Sequence, residues 1–264
     1  MRNSDLQRRR FFRHLLGGVS ALLVAGCDSL SRSEWFPKVL SAGEKLNEAA
    51  QHLITPRSAM AQEFTEADLS PSFRSNGTAV PQNPLYHALA ANGFADYRLE
   101  VTGLVERPSR FSLVELRAMP SRTQITRHDC VEGWSAIGQW TGVPLSLLLK
   151  AAGLQVGARY AVFYCADNLE GEPSKGGEQS PGQYYESIGL ADALHPQTLI
   201  AYNLNGKPLE VAHGAPLRLR VERQLGYKQA KYVRAIELVE SFAQIRGGQG
   251  GYWEDEGYEW YGGI

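Results

Sequence analysis

The segment Arg127-His128-Asp129-Cys130-Val131-Glu132-Gly133-Trp134-Ser135, followed by Gln139-Trp140-Thr141-Gly142-Val143-Pro144, sets one thiol among an arginine, a histidine and two carboxylates, bounded by glycine. The chain holds only three cysteines, so this placement reads as chemistry more than packing. Immediately upstream, residues 123–127 predict a strand that delivers Cys130 at its end. Downstream, residues 145–152 predict a helix closed by Gly153, with Leu145, Leu148, Leu149 and Ala152 on one face.

Further from this centre, residues 97–105 alternate apolar and polar and predict a strand turning at Glu106-Arg107-Pro108. Ser112 is placed to cap a short helix over 113–119, stopped by Pro120. Residues 160–166 predict a buried strand, and 167–183 a Gly/Ser/Pro-rich loop at the rim of an active site. Strands are also predicted at 199–202, 208–211, 217–221 and 232–239. Residues 63–80 read as an extended arm, and the Gly- and aromatic-rich stretch 247–261 as an irregular packed cover. Many short strands with few helices and no regular βαβ alternation predict an α+β fold with mixed sheets, not a doubly wound nucleotide-binding fold.

With 264 residues, 43% of them hydrophobic, the chain is long enough to bury one sizeable core, so one catalytic domain is the default. Of 27 basic and 28 acidic residues, five arginines and one acid fall in the first 26, leaving 22 against 27, a net charge of −5. That balance excludes the basic footprint of nucleic-acid binding.

The amino-terminal segment reads as an address. Gln7-Arg8-Arg9-Arg10-Phe11-Phe12-Arg13 precedes an apolar run from Leu15 to Ala25 that is short for a membrane span. This resembles a twin-arginine export signal, which carries folded, cofactor-loaded proteins. Val24-Ala25-Gly26-Cys27 resembles a lipoprotein cleavage box, making Cys27 the acylated first residue, and Asp28 resembles an inner-membrane retention signal. The expected layout is a signal at 1–26, a tether with an amphipathic helix at 27–61, and one folded domain at 62–264.

Several familiar motifs fail. Gly133-Trp134-Ser135-Ala136-Ile137-Gly138 is one residue too long for a G-x-S-x-G elbow. Gly171-Glu172-Pro173-Ser174-Lys175-Gly176-Gly177 lacks the P-loop lysine, and no C-x-x-C is present. Any electron carrier is therefore another protein. Three readings of Cys130 stay open from the residues themselves. It pairs with Cys165 as a disulfide of an oxidising compartment; it is a hydrolase nucleophile activated by His195 or His213; or it is a thiolate on a transition metal whose other ligands come from an organic cofactor.

The last requirement is met by the sulfite oxidase family of molybdenum enzymes, which the chain resembles from about residue 62 onward. The likeness is nearest to the periplasmic, haem-free branch that includes the catalytic subunit of the methionine-sulfoxide reductase system. Its motifs here are Cys130-Val131-Glu132-Gly133-Trp134-Ser135 with Trp140-Thr141-Gly142-Val143-Pro144-Leu145, His213-Gly214-Ala215-Pro216-Leu217-Arg218, and Gly226-Tyr227-Lys228-Gln229-Ala230-Lys231. The resemblance implies a sulfite-oxidase-type molybdopterin-binding domain. Cys130 would be the molybdenum ligand, and Asn83, Tyr86, His87, Cys165, His213, Arg218, Gln229, Ala230 and Lys231 would hold the mononucleotide form of molybdopterin. Arg218 and Lys231 would face its phosphate. Arg127, Glu132 and Arg223 are expected around the substrate with Cys130.

The implied function is oxygen-atom transfer on a small substrate such as a sulfoxide, an N-oxide or sulfite. Electrons would pass to or from a membrane or soluble cytochrome-type carrier. The protein would be a lipid-anchored monomer on the periplasmic side of the inner membrane. A non-catalytic cofactor-binding or scaffold lipoprotein of the same fold is the alternative. His87, Cys165 and His213 depart from the residue types of the reductase branch.

Overall fold

A computed structural model describes residues 58–170 and 182–264, together with Ser33, Trp35 and Pro56. The chain divides into two units, Met1–Pro56 and Arg57–Ile264, and the second carries the fold. The predicted export signal, Cys27, nearly all of the tether and residues 171–181 of the predicted rim loop lie outside the described residues. Among the described residues no helix is long and apolar enough to cross a membrane.

Among the described residues ten strands form two sheets. In order they are β1 (Arg98–Gly103), β2 (Ser109–Ser112), β3 (Arg122–Cys130), β4 (Trp134–Pro144), β5 (Tyr160–Asn168), β6 (Gln183–Gly189), β7 (Leu199–Leu204), β8 (Lys207–Pro208), β9 (Arg218–Arg220) and β10 (Val233–Val239). One sheet runs β2-β1-β10-β5-β6, and the other runs β3-β4-β7-β8 with β9 also on β7. β1 and β10 are parallel while their other neighbours are antiparallel, so the first sheet is mixed. Among the described residues five short helices accompany them: α1 (Pro84–Ala91), α2 (Leu113–Ala118), α3 (Leu145–Ala152), α4 (Leu190–Ala193) and α5 (Tyr252–Asp255). This is the α+β architecture expected from the pattern of short strands.

Local chemistry explains the elements read correctly. Leu99 and Val101 alternate inward on β1. Ser112 and Glu115 exchange hydrogen bonds as a capping box at the start of α2. α3 buries Leu145, Leu148, Leu149 and Ala152 completely and ends at Gly153, whose φ of +75° favours glycine. The two sheets and α3 share one core, to which Leu99, Phe163 and Ile236 come from one sheet and Val143, Ile200 and Leu219 from the other.

Two expectations are corrected. The predicted strand at 208–211 is only the two-residue β8 followed by a 3-10 turn, Val211–His213. The loop predicted over 167–183 begins later and ends earlier, because β5 continues through Asp167 and Asn168 and β6 starts at Gln183. As expected, a strand delivers Cys130 at its end: β3 runs on to Cys130, paired with Trp134 across the hairpin. β4 and β6 were missed altogether. Two glycines, Gly138 and Gly142, break up the apolar pattern of β4 on either side of Trp140, and Gly142 is required by close packing. A Cβ there would lie 2.3 Å from the Ile200 carbonyl oxygen of β7.

Candidate active site

The β3–β4 hairpin positions the thiol. Side chains alternate along β3, so Gln124, Thr126, His128 and Cys130 face inward and are buried. The turn closes with Gly133 N–H donating to the Cys130 carbonyl at 3.0 Å, and Gly133 has a φ of +84°. Cys130 is 9% exposed. Burial pushes its thiol pKa upward, while the Glu132 N–H, Arg218 and Arg74 favour the thiolate.

Cys130, Val131 and Glu132 form one side of a cavity of about 200 Å³. The arm supplies Asn76, Gly77 and Thr78, having crossed the hairpin through Phe64 N–H to Ile125 O (2.8 Å) and Ser70 N–H to Ile137 O (3.1 Å). Gln229, Ala230 and Lys231 come from the 226–231 loop, Asp167 from β5, and Trp253 and Tyr258 close the far side. The loop sits directly on the residue behind the thiol, since a Cβ at Gly226 would fall 2.6 Å from His128. His128 Nδ1 lies 3.1 Å from Arg220 Nη1 and 3.3 Å from Gln229 Oε1, and its Nε2 is buried without a partner. Burial, then Arg218 and Arg220, hold the ring neutral, its pKa well below the usual range.

Arg218 and Arg220 stand near the same ring, 5.3 and 4.2 Å from the centroid of Trp140, yet they differ in charge balance. Arg220 is paired with Glu222, the closest contact being 2.6 Å. Arg218 is fully buried and its partners are neutral: the His213 carbonyl at 3.5 Å and Asn76 Oδ1 at 3.2 Å, with Nε unpaired. Burial, then Arg220, brings its pKa down to about 9. Lys231 Nζ likewise donates to neutral oxygens, of Thr78 (2.5 Å), Ala212 (2.9 Å) and Ser75 (3.3 Å). Burial, then Arg218, pushes its pKa down to about 7. Asp167 is fully buried at the cavity wall and is pushed up to about 6, by burial against the opposing pull of Lys231.

Buried cations without a bound carboxylate are costly unless an anion is supplied, and a phosphate meets a guanidinium fork and an ammonium well. Among the described residues no cluster of three or more His, Cys, Asp or Glu could hold a metal unaided. A metal at Cys130 would therefore draw most of its ligands from an organic group, whose anionic end Arg218 and Lys231 are placed to neutralise. The donor set fits a sulfur-bearing cofactor with a phosphate.

Lys231 gives a pH signature. Its folded pKa lies below the unfolded lysine value of about 10.4, so the unfolded state binds more protons between about pH 7 and that value. The stability of cofactor-free protein is expected to gain from Lys231 as pH rises through this window. A Lys231→Met variant should show a flatter profile in urea titrations across it.

The other expected site residues separate into groups. Asn83 caps α1, accepting from Leu85 N–H (2.9 Å) and Tyr86 N–H (3.3 Å). Tyr86 donates to Ala215 O at 2.7 Å and packs on Tyr232. Both line a second cavity of about 380 Å³, whose wall alternates with that of the first: Ala166 and Tyr232 face one, Asp167 and Lys231 the other. His87 is exposed on the next position of α1. His213 holds Phe73 O through Nε2 at 2.9 Å and offers Arg218 its carbonyl, so its ring secures the arm.

Of the remaining expected residues, Arg127, Arg223, Cys165 and Arg218 also lie outside the first cavity's lining, Arg218 reaching it only through Asn76. Arg127 is an odd number of positions from Cys130, so strand alternation turns it outward, where Nε donates to Asp129 at 2.9 Å. Arg223 is paired with Asp192. Cys165 is fully buried in the core, its thiol pKa pushed well above the usual range by burial. Cys130 and Cys165 are both free, which removes the disulfide reading. His195 bonds Ala59 O and Gln197 N–H, and neither it nor His213 lines the cavity, which removes the support for a Cys–His hydrolase. Sequence reasoning missed His128, Trp140, Asn76 and Asp167. For His128 the signal was present, as the inward neighbour of Cys130 two positions along one strand.

A nearly buried thiol lining a cavity near buried cations that no carboxylate pairs directly points to a site for an anionic cofactor, and the comparisons say which kind. Residues 87–244, more than half of the chain, match the oxidoreductase molybdopterin binding domain. The chain is 36% identical over 260 residues to a protein of Azospira oryzae that carries the name protein-methionine-sulfoxide reductase subunit YedZ1, covering 97% of this chain and 87% of that one. It is also 36% identical over 149 residues to the protein-methionine-sulfoxide reductase catalytic subunit MsrP of Xanthomonas campestris, covering 56% of this chain and 46% of that relative. The sulfane dehydrogenase SoxCD of Paracoccus pantotrophus shares the fold, with a TM-score of 0.50 and 24% identity over 58% of this chain and 40% of that one. The chain belongs to the molybdopterin-binding oxidoreductases of the sulfite oxidase family. It is a molybdenum-dependent oxidoreductase.

Proposed function

We propose that the protein reduces methionine sulfoxide, with Cys130 as the molybdenum ligand. The observation that carries this reading is the cavity where a nearly buried thiol shares one lining with Lys231, whose ammonium donates only to neutral oxygens, while Arg218 lies buried behind the lining residue Asn76. The two methionine-sulfoxide reductase relatives supply the substrate class. The bound cofactor supplies two-electron oxygen-atom transfer. The reaction R2S=O + 2 e− + 2 H+ → R2S + H2O takes its electrons from a separate cytochrome-type carrier.

The chain's own residues bind and orient. Arg218 offers a planar fork and Lys231 an ammonium to the cofactor phosphate, with Gln229 and Ala230 presenting the loop beside it. Asn83, Tyr86 and the main chain at His213 support the same group from α1 and the 211–218 segment. Of the three residues expected around the substrate with Cys130, Glu132 lines the cavity, where its carboxylate accepts from Trp134 Nε1 at 2.9 Å. That bond holds the Glu132 carboxylate in the lining it shares with the thiol. Its place is to relay protons to the departing oxygen. Arg127, paired to Asp129 on the outer face, belongs to the rim that meets the substrate chain.

The amino-terminal motifs support export by the twin-arginine route and anchoring at Cys27 on the periplasmic face of the inner membrane, with the protein acting as a monomer. The test is turnover of holoenzyme purified from its own host with reduced benzyl viologen. Methionine sulfoxide in a peptide is expected to oxidise the dye. A molybdenum-loaded sample that ignores every sulfoxide but passes electrons from sulfite to an acceptor would overturn the reductase reading, and one inert to all substrates would favour a scaffold.

A further inference from the structure

The cavity has two unlike walls. Charged and hydrogen-bonding groups line the side of Cys130 and Lys231, while aromatic rings close the other from residues 251–258, a segment beyond the 87–244 matched by the family. We infer that Trp253 and Tyr258 are the specificity-determining wall, and that they take the methyl and methylene groups flanking the sulfur of a methionine sulfoxide side chain. This deepens the reductase reading and rests on it for the oxidised group.

The two rings lie 5.3 Å apart at 30°, and Tyr258 N–H donates to Trp253 O at 2.9 Å, so the pair moves as a unit. Tyr227 meets Tyr258 edge-on at 5.4 Å and fixes its tilt. Tyr258 is 41% exposed, and Val131 across the mouth is 45% exposed. Open apolar surface at the entrance of a cavity is where a ligand's alkyl groups displace water, and aromatic rings also attract sulfur at about 5 Å. The wall itself presents no cation. It therefore favours a neutral sulfoxide with alkyl arms over a small oxyanion.

The wall is locked in place rather than draped. Glu254, next to Trp253, is fully buried and pairs with Lys228, which also donates to Glu186 of β6 at 2.5 Å. Gly251 makes room for this junction, since a Cβ there would lie 2.0 Å from Glu254 Oε2. Lys228 belongs to the 226–231 loop, so the recognition wall and the cofactor-facing Gln229 and Lys231 are carried on one buried ionic junction. Such fixed aromatic groups lose little freedom when a ligand docks.

The test measures equilibrium binding of oxidised holoenzyme, without reductant, to a short peptide containing methionine sulfoxide and to dimethyl sulfoxide. Trp253→Ala and Tyr258→Ala are each expected to weaken peptide binding by about tenfold or more, with Trp253→Phe recovering most of it and dimethyl sulfoxide affected by less than about threefold. In turnover the loss should appear in KM, not kcat. Unchanged peptide affinity in Trp253→Ala or Tyr258→Ala with normal molybdenum content would overturn the inference, as would a wild type that does not bind the peptide. If Trp253→Ala fails to fold, the exposed Tyr258→Ala carries the decision. Ring-dependent peptide binding without sulfoxide turnover would uphold the wall and sink only the reductase reading.

Discussion

Replacing Cys130 by alanine is expected to lower sulfoxide turnover by more than about 100-fold while leaving the fold within about 1 kcal/mol of wild type. Outer-shell partners of a metal site cost about 10–100-fold when removed, and a direct ligand should cost more. The structural cost is small, because Cys130 sits at the end of β3 beside open cavity and its hairpin is secured by main-chain pairing with β4. Cys130→Ser should fall between the two, since a hydroxyl is a harder and weaker ligand than a thiolate. Steady-state kinetics beside chemical denaturation separate loss of chemistry from loss of fold. Substantial activity in the alanine variant would remove Cys130 from the centre.

Arg218→Met is expected to empty the site and steady the empty protein. Arg218 is fully buried without a bound carboxylate, so an apolar side chain of similar length relieves a desolvation cost. Cofactor-free Arg218→Met should melt at or above the wild-type temperature. Its cofactor occupancy should nevertheless drop by at least about 30-fold, the equivalent of about 2 kcal/mol for losing one partner of a buried charge pair. Lysine should restore little, because it lacks the planar fork. Arg220→Met supplies the contrast. It strands Glu222, fully buried and 2.6 Å from Arg220, and should destabilise the fold by about 3–5 kcal/mol. Pterin fluorescence and melting curves on the two variants would distinguish them, and equal behaviour would contradict the assignment.

The sequence made some of this legible and hid the rest for physical reasons. α2 and α3 announce themselves through a capping box and a stripe of leucines, both local signals. The thiol segment and the 226–231 loop were picked out by residue type and meet at one cavity, although 96 positions separate Cys130 from Gly226 in the chain. Direction was harder to read. Arg127 was placed by type at the substrate, but strand parity turns it outward. Cys165 lies in a strand buried on both faces, where an unbroken apolar run does not tell which side faces the core. Arg223 is committed to Asp192, 31 residues away, a pairing that no local pattern carries. Trp253 and Tyr258 sit in a stretch without periodicity, read as a cover, and only the fold places them across from Cys130.

X-ray absorption at the molybdenum edge, on holoenzyme and on Cys130→Ser, tests the central claim most directly. The proposed ligation predicts one sulfur fewer around molybdenum in the variant, with the pterin sulfurs retained. An identical sulfur shell in both samples would show that the metal is held without Cys130 and would contradict the account.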